Sequence, residues 1–176
     1  MLILPLRLFF LYLSKKFQNI ATMTYQEYMI PILISNLLAI ILTLLCFHFS
    51  RFMRFLWGVI FIIAGVVNLI SVYNDPTIYI TGFGPAAIDF YKEIIYGPFS
   101  KSPGLYVSLI AIGQILVGGM MWSKKIWYTL GVLGGIIFLL AIAPLGVGSA
   151  FPSTLIMAVG LFALLFKWRK KTIFGT

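Results

Sequence analysis

Three carboxamides stand inside apolar stretches of this chain. Asn36 lies in IPILISNLLAIILTLLCFH, Asn68 in FLWGVIFIIAGVVNLISVY and Gln114 in LYVSLIAIGQILVGGMMW. A primary amide offers two donors and an acceptor and stays neutral, so it can hold a carbonyl or a hydroxyl. It cannot relay protons as a carboxylate does. In hydrocarbon an unpaired amide is costly, so the three are expected to meet one another. At about 1.5 Å of rise per residue, Asn36 and Asn68 fall near one-third depth and Gln114 a few ångströms deeper. Two roles are open. As interhelical glue each amide is worth roughly 0.6–2 kcal/mol. Alternatively they form the polar floor of an outward-opening pocket for a quinone or lipid, with Asp75, Tyr79, Asp89 and Tyr91 as its rim.

Other chemistry has little to work with. The chain has one histidine and one cysteine, so it has no internal disulfide and no CxxC pair. His48 alone supplies no pair of axial ligands for haem, and with Cys46 it does not make a zinc site. His48 reads as an interfacial residue and Cys46 as a small buried apolar one. Ser71 and Ser108 have no histidine to activate them. Gly82-Phe83-Gly84 follows no nucleotide-binding strand. No catalytic residue, metal or cofactor is expected.

The elements that must position the amides follow from composition. The 176 residues are 61% hydrophobic and 10% charged, which places the chain in a bilayer rather than in water. A net charge of +9 would suggest nucleic acid in a soluble protein. Here the basic residues flank apolar runs and read as topology signals and contacts to anionic lipid, with no nucleic-acid partner. Five stretches read as spans: 30–48, 55–73, 105–122, 126–147 and 153–168. Arg51 and Arg54 follow the first. Lys124 and Lys125 follow the third, and Lys167, Arg169, Lys170 and Lys171 follow the fifth. The positive-inside rule puts these in the cytoplasm, with the C-terminus inside. Trp57, Trp122, Trp127 and Trp168 all fall at that inner boundary, where an indole prefers to sit.

Residues 74–104 form the long loop and carry Asp75, Asp89 and Glu93. Pro85 suits a helix start and Gly97-Pro98 a stop, with Ile88, Tyr91 and Ile95 near one face. A short amphipathic helix on the outer interface is expected there. Two readings fit residues 1–22, an interfacial helix or a non-native stretch preceding a start at Met23. The division is thus an extension over 1–29, a single transmembrane domain over 30–168 and a basic cytoplasmic tail over 169–176.

From Arg54 the sequence runs R-x-x-x-G-x-x-F-x-x-A-G-x-x-N-L, through Gly58, Phe61, Ala64, Gly65 and Asn68 to Leu69. A loop with a short helix follows, then Pro103-Gly104, then Gln114-Ile-Leu-Val-Gly118-Gly119 and a basic hairpin at Ser123-Lys124-Lys125. This resembles the DoxX-like family of small bacterial four-helix membrane proteins over residues 51 to about 168. The resemblance implies an all-α polytopic bundle with a four-helix core, to which the first span would be an addition. It also implies lysine at position 68 and glutamate at position 114, a buried ion pair. Here both are neutral amides, a joint loss that leaves no lone buried charge and puts in doubt any activity that used the charge. The family is linked to quinone-connected membrane redox systems, often as a subunit without cofactor ligands.

Two function classes follow. One is a non-catalytic membrane subunit or binder of a small amphipathic molecule. The other is the membrane component of an oxidoreductase system with a separate membrane or soluble redox partner. Membrane lipid is a partner in both, and a homo-oligomer is compatible with either. Topology is testable directly. A cysteine at Ser102 is expected to react with an impermeant thiol reagent in intact cells, and one at Thr172 is not. The reverse labelling pattern would invert the arrangement.

Overall fold

The computed structural model describes residues 25–174, with side chains over 29–167 apart from positions 147 and 148. The expectations for residues 1–22, and for the side chains of Trp168, Arg169, Lys170 and Lys171, lie outside the described residues. All regular structure among the described residues is helical. Five long helices form the body: α1 (Tyr25–His48), α2 (Ser50–Asn74), α5 (Pro103–Met121), α6 (Lys125–Ile142) and α7 (Ser153–Phe174). Two short ones, α3 (Ile78–Phe83) and α4 (Asp89–Ile94), lie between α2 and α5.

Among the described residues, four stretches are long and apolar enough to cross a membrane: Met29–His48, Ser50–Asn74, Pro103–Met121 and Lys125–Gly146. The apolar part of α7, Ser153–Lys167, is shorter. α7 stays helical to Phe174, so the stretch 169–174 is helical too. Large apolar side chains such as Leu33, Ile63, Leu109, Leu116 and Ile137 point away from the body with more than half their surface exposed. Water would penalise such a surface, whereas lipid tails are as apolar as leucine and do not. The fold is compatible with a multi-pass membrane protein.

The closest helix pairing is between α2 and α5. Arg54, Gly58, Phe61, Gly65, Asn68 and Val72 recur on α2 at alternating steps of four and three. Val107, Ala111, Gln114, Gly118 and Met121 do the same on α5. This alternation is the seam of left-handed, nearly parallel-axis packing. Contacts of Gly58 with Gly118 and of Gly65 with Ala111 make the pair antiparallel. α6 packs antiparallel on α5 through Gly131 and Gly134, and α7 packs on α6. α1 lies beside α7 and runs the same way. Its Thr43 hydroxyl donates to the Ile156 carbonyl at 2.8 Å, and Lys167 donates to the Phe47 carbonyl.

Several boundaries differ from the sequence reading. α2 starts at Ser50, so Arg51 and Arg54 sit in its first turns, not in a loop. Only Phe49 separates α1 from α2. Long basic side chains reach out of a helix to the interface and so need no loop. Trp57 is not interfacial: it is buried in the core and donates its indole N–H to the Cys46 sulfur at 3.3 Å. Trp122 and Trp127 are about half exposed at the helix ends, as an interfacial indole would be. The 74–104 segment is not one helix starting at Pro85. It holds α3, a 3-10 turn at Gly84–Ala86, then α4 and a π turn over Ile95–Phe99. Ala87 and Ile88 are extended, so α4 begins only at Asp89. Of the expected apolar face, Ile95 is buried while Ile88 is exposed. This segment caps one end of the bundle. Ile88 N–H donates to the Pro144 carbonyl at 3.1 Å, and Tyr91 donates to the Ala141 carbonyl at 2.8 Å. After α6 the chain turns through Gly146, whose φ of +72° favours glycine and whose Cα abuts the Ala86 carbonyl.

The seam makes a testable demand. A Cβ at Gly118 would stand 2.6 Å from the Gly58 carbonyl oxygen, whereas at Gly113 and Gly119 it would meet nothing within 4 Å. Gly118→Ala is therefore expected to cost about 1–3 kcal/mol, read as lower thermal stability in detergent. Gly113→Ala and Gly119→Ala should be neutral or stabilising by up to about 1 kcal/mol. Equal effects at all three positions would refute the close approach.

Candidate functional site

The seam brings Asn68 and Gln114 together. Asn68 Nδ2 donates to Gln114 Oε1 at 2.7 Å. Gln114 is buried and Asn68 is half-buried. The bond forms because the steps of three and four on each helix place both side chains on the facing stripe. The chain after α2 then doubles back. Asp75 Oδ1 accepts from the Thr77 backbone N–H at 2.9 Å and from the Thr77 hydroxyl at 2.6 Å, an Asx-type turn. This turn lays α3 over the end of α2, and the Tyr79 hydroxyl donates to Asn68 Oδ1 at 2.9 Å. Burial pushes the Tyr79 phenol above its ordinary range, and a hydrogen bond with Ser71 offsets part of that. Tyr79 is therefore a neutral O–H donor at physiological pH.

The result is a directional chain, Tyr79 to Asn68 to Gln114. Donors and acceptors alternate, so the assignment of each amide's oxygen and nitrogen is mutually consistent. The terminal Gln114 Nε2 donates to no described residue.

The other expected members are elsewhere. Asn36 does not join the amides, because α1 packs on α7 and lies away from the α2–α5 seam. Its Nδ2 returns to the Ile32 carbonyl of its own helix at 2.9 Å, and its Oδ1 is buried with no partner among the described residues. Tyr79 belongs to the network rather than to a rim. Asp75 serves the turn at Thr77, Asp89 pairs with Lys92 at 3.2 Å, and Tyr91 holds the Ala141 carbonyl. None of these three hydrogen-bonds to the amide chain. His48 is exposed and donates Nδ1–H to the Leu44 carbonyl one turn back at 3.0 Å. Cys46 is buried and unbridged. Among the described residues no three His, Cys, Asp or Glu side chains gather.

A cavity of about 430 Å³ lies at the opposite, basic end, not at the amides. Ser50, Arg51, Arg54 and Phe55 of α2 form one wall. Trp122, Tyr128 and the α7 residues Leu164 and Lys167 complete it. Arg54 organises this end. Its Nε donates to the Met121 carbonyl at 2.6 Å and its Nη2 to the Ser123 carbonyl. The guanidinium lies over the Tyr128 ring, 4.3 Å from its centroid. A cation on the last carbonyls of α5 completes that helix's C-terminus. Trp122 donates to the Phe55 carbonyl at 3.1 Å and stacks on the Phe55 ring, its indole seated against Gly58. Sequence reasoning missed this cavity. The signal was present in the aromatic and basic residues shared by the inner ends of four spans, which the topology argument had absorbed.

Comparison with family models, curated proteins and solved structures finds no match to this chain.

The Asn68–Gln114 bond can be tested by substitution. Gln114→Leu should lower stability by about 1 kcal/mol. Gln114→Glu alone buries a carboxyl with no cationic partner and should destabilise. Combining it with Asn68→Lys should recover stability relative to either single variant. Purely additive effects in this double-mutant cycle, measured by thermal unfolding in detergent, would show that the two side chains do not touch.

Proposed function

We propose that this chain is a DoxX-like, non-catalytic subunit of the bacterial cytoplasmic membrane. In this reading it holds a small amphipathic molecule, a quinone or a neutral lipid, against the Tyr79–Asn68–Gln114 chain. α7 is then a fifth span beside the four long apolar helices, and α1 is an addition to a core of α2, α5, α6 and α7. The basic end faces the cytoplasm and the cap of α3 and α4 faces outward, on the charge asymmetry of the connections.

One observation carries the binding role: the polar chain ends on the Gln114 Nε2 amide, for which no described residue serves as acceptor. An N–H group in hydrocarbon surroundings favours a carbonyl or hydroxyl oxygen as its partner. Tyr79 and Asn68 orient that donor, and the cap shields the site from the outer phase. The joint replacement of the ion pair that the family resemblance implies by two amides suits a neutral ligand better than proton or ion traffic.

The test is direct. Protein purified in mild detergent is expected to carry a quinone or neutral lipid that mass spectrometry detects at near-stoichiometric yield. Gln114→Leu should reduce its recovery by about threefold to tenfold, the loss of one hydrogen bond. Undiminished recovery with the variant would reject the amide site.

A further inference from the structure

We propose that the cavity at the basic end binds the phosphodiester headgroup of an anionic phospholipid. This inference rests on the membrane placement above and is independent of any ligand at the amides.

The first ground is charge. All four acidic residues of the chain belong to the other end of the bundle. Asp75, Asp89 and Glu93 lie in the connection between α2 and α5, and Glu27 lies at the start of α1. Arg51, Arg54 and Lys167 line the cavity at the end that carries no Asp or Glu side chain. The carbonyls of Met121, Ser123 and Phe47, together with the Tyr128 ring, hold Arg54 and Lys167 at the cavity wall. At the edge of a low-dielectric slab, clustered positive charge attracts an anion more strongly than it would in water.

The second ground is chemistry and shape. The cavity sits at the helix ends, the depth of one leaflet's phosphates. Its volume of about 430 Å³ lies within the range of small-molecule sites. Guanidinium groups match phosphate oxygens in planar, two-point geometry, and Arg51 is exposed at the rim. The remaining wall is apolar and aromatic. Phe55 and Trp122 keep roughly half their surface exposed toward the lipid-facing flank, next to the exposed Phe52. A phospholipid satisfies both halves, with its phosphate among the cations and an acyl chain along the aromatic flank. A soluble phosphate would use only the first half.

Native mass spectrometry of the full chain in neutral detergent tests the assignment, with phosphatidylglycerol, phosphatidylcholine and inorganic phosphate as probes. Wild-type protein should retain phosphatidylglycerol in preference to phosphatidylcholine. Arg51→Gln should weaken that retention about fivefold and Arg51→Gln with Lys167→Gln about thirtyfold. Lys124→Gln with Lys125→Gln removes the same charge from the same end outside the cavity and should leave retention unchanged. Equal retention by wild type and the Arg51/Lys167 variant would overturn the proposal. So would an equal loss in the Lys124/Lys125 variant, which would make the effect one of diffuse surface charge. Displacement by equimolar inorganic phosphate would overturn the lipid assignment in favour of a soluble anion. Arg51 is exposed, so its single variant keeps the test open if the double variant folds poorly. The cysteine labelling at positions 102 and 172 reports membrane placement separately.

Discussion

Hydrocarbon offers a helix no water to bond and no aqueous penalty for exposed leucine, so helices within it associate by close fit and by the few polar groups they share. In this protein both conditions meet on the α2–α5 seam. Gly58, Gly65 and Gly118 remove the side chains that would hold the backbones apart, and only then can Asn68 reach Gln114 across 2.7 Å. Arg54 closes the same seam at one end on the carbonyls of Met121 and Ser123, and Tyr79 closes it at the other on Asn68. α6 and α7 then build outward from α5, with Tyr128 and Leu161 in the shared core, and α1 joins last through Thr43 and Gly160.

The two ends of this seam differ in kind. At the cap the polar chain is neutral, directional and narrow. At the basic end the groups are charged and wider apart, and they surround open volume. A neutral amide can sit deep because it can satisfy its partners one by one. A guanidinium stays near the interface because a full charge at mid-depth costs several kcal/mol by insertion scales, on the order of 2.5–3.5. The placement of Arg54 one turn inside α2, with its guanidinium over the Tyr128 ring, is the compromise between those limits.

Much of this was legible in the sequence, and the reasons for the rest are local. Apolar run length located the long helices, and matched depth with small-residue faces located the Asn68–Gln114 contact. Asn36 misled because depth alone was matched. Which helix faces which is decided by small-residue stripes, and Thr43 and Cys46 of α1 meet Gly160 of α7. Trp57 misled because a tryptophan near a span end is interfacial only if its stripe faces lipid, and position 57 faces Met53 and Phe61 in the core. Tyr79 was assigned to a rim because a loop's return path depends on one turn, here set by Asp75 and Thr77, that hydropathy does not register. The cavity went unseen because a basic residue near a membrane already has one sufficient reason to be there.

The single residue between α1 and α2 has a meaning for how the chain enters a bilayer. With only Phe49 to reverse direction, the two helices cannot be threaded independently with slack between them; they form a hairpin with a one-residue tip. The turn from Trp122 to Lys124 likewise leaves α5 and α6 little slack. In the orientation proposed above, the sizeable segment carried across between these hairpins is 75–102. Its charges are Asp75, Asp89 and Glu93 against Lys92 and Lys101, nearly self-cancelling. The electrical work of moving it through a membrane potential is then small, at about 2.3 kcal/mol per net charge per 100 mV. The short tips at one end and the near-neutral cap at the other make the protein as suited to insertion as to standing in the membrane afterwards.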